Sequence, residues 1–335
     1  MASTTRKGKS VPAPSAPVPL ADDSIAARFQ AAAVEFVEKA RRDPYLIAVI
    51  LGGSASYDTV WEKSDLDIVV VTRDETARGP RAKENNFALV ENGLNIHAIL
   101  ISRAEFRKMI DGSVRGTFMH SFLSRSKLLF TRDETIRELY EGTNLQKLGS
   151  RDRQYQLLRA GAMTLPALYK AQKWFTVKKD LDYAFLYILY CVQSLAQVEV
   201  ALNDEIAGRE VIQQAMKHNP EFFASIYHDL INRKKDAATI ENALEQIDQY
   251  LGRKIRTLFQ PILDFLKEAG SPRSAGEIEN FFRNNYNLSG GTAVMACEWL
   301  ADKDVIAKVT SPARLTPKSR VEFDEMAFYY DGEEA

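Results

Sequence analysis

Cysteine is nearly absent: Cys191 and Cys297 are the only two in 335 residues, far apart and each in an apolar stretch. A disulfide framework and a cysteine-based zinc site are thereby excluded, and a reducing, cytoplasmic setting is predicted. Long hydrophobic runs are missing too. None approaches the ~18–20 residues that cross a bilayer, and the N-terminus lacks the apolar core of a signal peptide. Neither charge is in excess. Lys+Arg number 44 against 45 Asp+Glu, so attraction of the whole chain to nucleic acid or an anionic membrane is excluded as a default. Residues 1–22 hold no aromatic residue and are rich in Pro, Ser and Ala, which predicts a disordered tail. The remainder has what a folded chain needs. With 45% apolar and 10% aromatic residues, it can build cores for more than one domain.

The pattern turns helical from Ser24, where Ile25, Phe29, Ala32, Ala33, Phe36 and Val37 recur at helical spacing. Asp43-Pro44 ends that helix, because the residue before proline avoids the α region. Two short, β-branched apolar runs follow at 45–51 (YLIAVIL) and 66–72 (LDIVVVT), the mark of strands in a buried sheet. Residues 87–90 and 94–101 flank Asn92-Gly93 and read as a hairpin, since that pair favours the tight turn with positive φ. A helix capped by Ser102 and a strand at 127–131 complete an α+β domain over 23–148.

Residues 149–269 contain little turn chemistry and predict an all-α bundle. Its helices are expected at 155–175, 181–202, 209–217, 222–233 and 237–267, the last kinked at Gln260-Pro261. Tyr183, Tyr187 and Tyr190 form a helical stripe, read as core and domain-interface packing. Gly270-Ser271-Pro272 is read as a linker to a third domain over 272–330. There, Ser274 and Glu277 make a capping box for a helix over 275–284. A second helix over 291–303 and two short strands, 306–310 and 321–323, follow. Helices and then a two-stranded wing resemble a winged helix-turn-helix, with Lys308, Arg314, Lys318 and Arg320 gathered on the wing.

The stretch that carries chemistry is Gly52-Gly53-Ser54 followed by Asp65-Leu66-Asp67. Asp65 and Asp67 flank one residue at the start of an apolar strand, so their side chains point to the same face. Paired carboxylates of this kind hold Mg²⁺ (or Mn²⁺) beside a nucleoside triphosphate, because such ions take oxygen ligands and share them with phosphates. The glycines let backbone approach phosphate closely, and Ser54 adds a hydroxyl.

A strand, a Gly-Ser break, ten intervening residues and then Asp-x-Asp on an apolar strand resemble the polymerase β-type nucleotidyltransferase superfamily, in particular its small aminoglycoside-modifying members. The resemblance covers residues 25–145 and is best over 45–72. It implies a mixed sheet with helices, an NTP held at Gly52, Gly53 and Ser54, and metal held by Asp65 and Asp67. Members of the superfamily carry a third acid on a neighbouring strand. Here that strand offers Asn95 and His97 on its polar face, with Asn95 expected at the acid's position as a neutral metal ligand and His97 as the general base. The implied activity is transfer of a nucleoside monophosphate from an NTP to a hydroxyl acceptor, releasing pyrophosphate. The alternative is a catalytically weak nucleotide-binding regulator whose 272–330 region binds DNA or a protein partner.

Overall fold

The computed structural model describes residues 23–56, 60–74, 85–113, 122–142 and 148–332. The tail expected over 1–22 lies outside the described residues. The chain divides into two compact units, 1–107 with 125–140 and 108–124 with 141–335.

In the first unit, the consecutive apolar residues of Leu46–Gly52 (β1) and Leu66–Thr72 (β2) place both strands inside a sheet covered on its two faces. They pair antiparallel, with Gly52 opposite Asp67. Asn86–Glu91 (β3) and Leu94–Ser102 (β4) form the expected hairpin. Asn92 and Gly93 at its tip have φ of 51° and 75°, as its tight turn demands. β4 then lies parallel to β2, and Lys127–Thr131 (β5) closes the other side of β1. The result is a mixed five-stranded sheet of order β3-β4-β2-β1-β5.

Helix α1 (Asp23–Arg42) covers one face, burying Phe29, Ala32 and Val37 among Leu51, Leu66, Ile68 and Ile96. Lys39 on α1 also donates to both carboxylate oxygens of Glu91, at 2.9 and 2.8 Å. Ser102 caps α2 (Arg103–Ser113) as expected, its Oγ accepting from the Glu105 N–H while Glu105 accepts from the Ser102 N–H. Helix α3 (Glu134–Gly142) follows β5.

The second unit begins with α4 (Ser150–Lys173), a π-turn over Trp174–Lys178 and α5 (Leu181–Leu202). After α6 (Val211–His218) comes an irregular helical stretch over 220–232, with a second π-turn at Ala224–Asp229. The long helix expected over 237–267 is two helices, α7 (Ala237–Gly252) and α8 (Ile255–Ala269). The chain breaks after Gly252, whereas Pro261 sits inside α8. Proline supplies no N–H to the carbonyl four residues back, and that carbonyl, Thr257 O, accepts instead from Gln154 Nε2 on α4 at 3.0 Å.

By length and composition α5 could cross a membrane, contrary to the expectation that no segment would; half of its apolar window is buried inside the bundle. Of the tyrosine stripe on α5, Tyr183 and Tyr190 are exposed rather than core.

Gly270 is the left-handed cap of α8 (φ 59°), so 270–272 is a tight connection. Arg273–Ser274 (β6), α9 (Ala275–Tyr286), α10 (Thr292–Asp302), Ala307–Ala313 (β7) and Phe323–Tyr329 (β8) complete the chain. The capping box of Ser274 and Glu277 is present. The last strand lies later than the expected 321–323, and the three strands form a sheet of order β6-β8-β7. One buried cluster runs from Leu148 through Leu258 and Trp299 to Phe328 and Tyr330, so the bundle and the C-terminal elements share a core.

Candidate active site

β1 ends at Gly52, and Gly53 turns the chain with φ 64° into the short 3₁₀ turn Ser54–Ser56. The turn is tied back on itself. Ser56 is buried, and its Oγ and N–H both donate to Gly53 O, at 2.7 and 3.2 Å. Sequence reasoning singled out Gly52, Gly53 and Ser54 but missed Ser56, although a second serine two positions after the first was there to suggest such a lock.

Asp67 lies directly against this turn. It is paired with Gly52 across the β1–β2 ladder, and a Cβ at position 53 would overlap its Oδ2. Asp65 stands just before β2, following a turn in which Ser64 N–H donates to Trp61 O at 2.9 Å and Ser64 Oγ accepts from Trp61 N–H at 3.1 Å. The two carboxylates are 31% and 34% exposed, open enough to meet a ligand.

On β4, Leu94, Ile96 and Ala98 are buried while Asn95, His97 and Ile99 are exposed, the alternation of a strand covered on one face only. The parallel register pairs Asp67 with His97 and Leu66 with Ile96. The residue beside Asp67 is therefore His97. Asn95 lies on the same face of β4 but precedes the first β2–β4 pair, and its partner on β3 is Val90. The His97 ring stands between the two aspartates, with Nε2 3.7 Å from Asp65 Oδ2 and Nδ1 3.9 Å from Asp67 Oδ1. Asp65, Asp67, Gly52, Gly53 and His97 are thus brought together, with Ser54 next to Gly53.

Residues 34–122 match the family model described as the nucleotidyltransferase domain. This segment is a nucleotidyltransferase domain. The fold of the longer chain agrees with it. A nucleotidyltransferase-like protein from Exiguobacterium sibiricum 255-15 superposes with a TM-score of 0.61, covering 90% of this chain and 98% of its own, at 16% identity. No curated protein sequence matches the chain.

Within the nucleotidyltransferase domain, Gly53 is the residue least open to replacement. Its φ lies in the left-handed region, and Asp67 occupies the space a side chain would need. Gly53→Ala is expected to push the Asp67 carboxylate aside and to cost about 10²-fold in turnover, the usual effect of a misplacement near 1 Å. The fold should survive with a loss of about 1–3 kcal/mol. A thermal melt beside a pyrophosphate-release assay separates the two effects, and an active, equally stable variant would contradict the close packing.

The antiparallel pair β7–β8 and its connection carry less free charge than the sequence suggests. Lys308 pairs with Glu298 at 3.0 Å and Arg314 with Glu322 at 2.7 Å.

Proposed function

We propose that the protein transfers a nucleoside monophosphate from an NTP to a hydroxyl acceptor, releasing pyrophosphate, and that a divalent cation is required. The observation that carries this reading is the placement of His97 between Asp65 and Asp67, beside the Gly53-Ser54 turn. Mg²⁺ commonly takes one or two carboxylates and completes its shell from water and substrate phosphates. Asp65 and Asp67 fit that pattern. Among the described residues, no group of three or more His, Cys, Asp or Glu could hold a metal by itself, so water or substrate oxygens would complete the shell. A cation bound there would neutralise triphosphate charge and polarise the reacting phosphoryl group.

The chain's own residues do the rest. The backbone N–H groups of Ser54 and Ala55 and the Ser54 hydroxyl receive phosphate oxygens, and Gly53 keeps that approach free of a side chain. The acceptor oxygen attacks the α-phosphorus, a new P–O bond forms, and the bond to the β-phosphate oxygen breaks. His97, standing between the two carboxylates, takes the acceptor's proton on a ring nitrogen. Asn95, neutral and on the same strand face, contributes a carbonyl oxygen at the edge of the site. A reducing cytoplasm suits the two thiols. Both are buried and unbridged, and burial pushes Cys191 up to about 12 and Cys297 up as well.

The direct test offers each labelled NTP with Mg²⁺ or Mn²⁺, with and without cell extract, and follows label and pyrophosphate. Metal-dependent labelling of an acceptor, lost with chelator, is the expected result. Failure to bind or consume any NTP with either metal would reject the reading.

A further inference from the structure

The bundle unit carries an exposed ridge of rings and ammonium groups. α4 ends in the π-turn Trp174–Lys178, a distortion that often accompanies function. The turn brings Trp174 onto Tyr183 of α5, stacked at 4.5 Å between centroids and 21° between planes. One turn further along each helix, Lys170 Nζ lies 5.4 Å from the Tyr187 ring, and Tyr187 meets Tyr190 edge-on at 5.7 Å. Tyr183 and Tyr190 are 48% and 54% exposed. At the end of the ridge, Lys178, Lys179 and Lys235 line a hollow of about 570 Å³ with Asp180 and Asp182.

Those two acids are occupied. Asp180 caps α5 by accepting from Tyr183 N–H at 2.9 Å, and Asp182 pairs with Lys235 at 3.5 Å. Lys173, Lys178 and Lys179 are exposed and have no ion pair among the described residues. Half-exposed rings beside unpaired ammonium groups match a ligand that alternates flat aromatic groups with negative charge. Two such faces from two copies would repel through their lysines, and an acidic peptide would leave the rings unused.

We propose that this ridge binds single-stranded RNA. Bases stack on Tyr183, Tyr190 and the Trp174–Tyr183 pair, and phosphates lie over Lys173, Lys178 and Lys179. The phenol hydroxyls of the exposed Tyr183 and Tyr190 supply acceptors for ribose 2′-hydroxyls, the group that DNA lacks. The near-neutral charge of the whole chain is no obstacle, because the basic excess is local to the segment 170–179.

Anisotropy of a fluorescein-labelled 12-nucleotide single-stranded RNA tests it. The full chain is measured over a salt series, beside DNA of the same sequence and with polyglutamate as competitor. RNA should bind and quench tryptophan emission, and the quench should vanish in Trp174→Phe. Tyr183→Ala with Tyr190→Ala should weaken binding roughly 30-fold or more at an unchanged salt slope. Lys173→Gln with Lys178→Gln should instead flatten the log–log salt slope by about 1.4. Tyr183, Tyr190, Lys173 and Lys178 are exposed and Trp174→Phe keeps a ring at its half-buried position, so circular dichroism should report an intact fold. Absence of RNA binding, equal affinity in the tyrosine variant, or equal binding of DNA or polyglutamate would each overturn the proposal. So would light scattering showing that this face instead pairs two copies of the chain.

Discussion

Replacing both Asp65 and Asp67 by asparagine is expected to abolish metal-dependent NTP binding and to lower transfer by about 10³-fold or more. Asparagine keeps the size and one oxygen of each side chain but removes both negative charges, and it is the charge that holds a hard divalent cation against water. The loss corresponds to the several kcal/mol of charge stabilisation that such an ion supplies to phosphoryl chemistry. The fold should not suffer, since both side chains are about two-thirds covered and neither belongs to the apolar face of β2 packed under α1. Titration calorimetry with NTP in Mg²⁺, in Mn²⁺ and in chelator gives the readout. NTP binding that is equally metal-dependent in the double variant would remove Asp65 and Asp67 from the site.

The second large effect belongs to His97. His97→Ala should reduce transfer by roughly the 10²–10⁴ that a positioned general base provides, while metal-dependent NTP binding persists. That split separates a base from a metal ligand, whose loss would weaken binding as well. Two further variants sharpen the comparison. His97→Asp puts a carboxylate in register beside Asp67 and should tighten metal binding, because β4 presents position 97 at that point of the ladder. Asn95→Asp should change activity only modestly, since Asn95 lies before the first β2–β4 pair. If His97→Ala matches an active wild type and Asn95→Asp raises turnover, the base lies elsewhere and Asn95 occupies the decisive position.

Much of the nucleotidyltransferase domain could be read along the chain because its signals are local. β1 and β2 are runs of β-branched residues, the β3–β4 hairpin follows from Asn92-Gly93, and the helix after β4 follows from its cap, Ser102; in the second unit Ser274 and Glu277 mark a helix start in the same local way. The shared face of Asp65 and Asp67 needs only the two-residue period of a strand. Gly53 was legible as a turn residue for the same reason, since its positive φ is a property of one position.

What the sequence could not decide depends on how distant segments are registered and packed. β2 and β4 are parallel and about 30 residues apart, and no turn fixes their offset; only the packed sheet sets His97, rather than Asn95, beside Asp67. Pro261 reads locally as a kink, but Gln154, more than a hundred residues earlier, satisfies the carbonyl it leaves, so the helix runs on and breaks instead after Gly252. Tyr183 and Tyr190 have the spacing of core residues, yet periodicity says only that they share a face. Whether that face meets protein or water is decided by the other helices, which bury Ile188, Val192 and Leu195 of α5 and leave the tyrosines out.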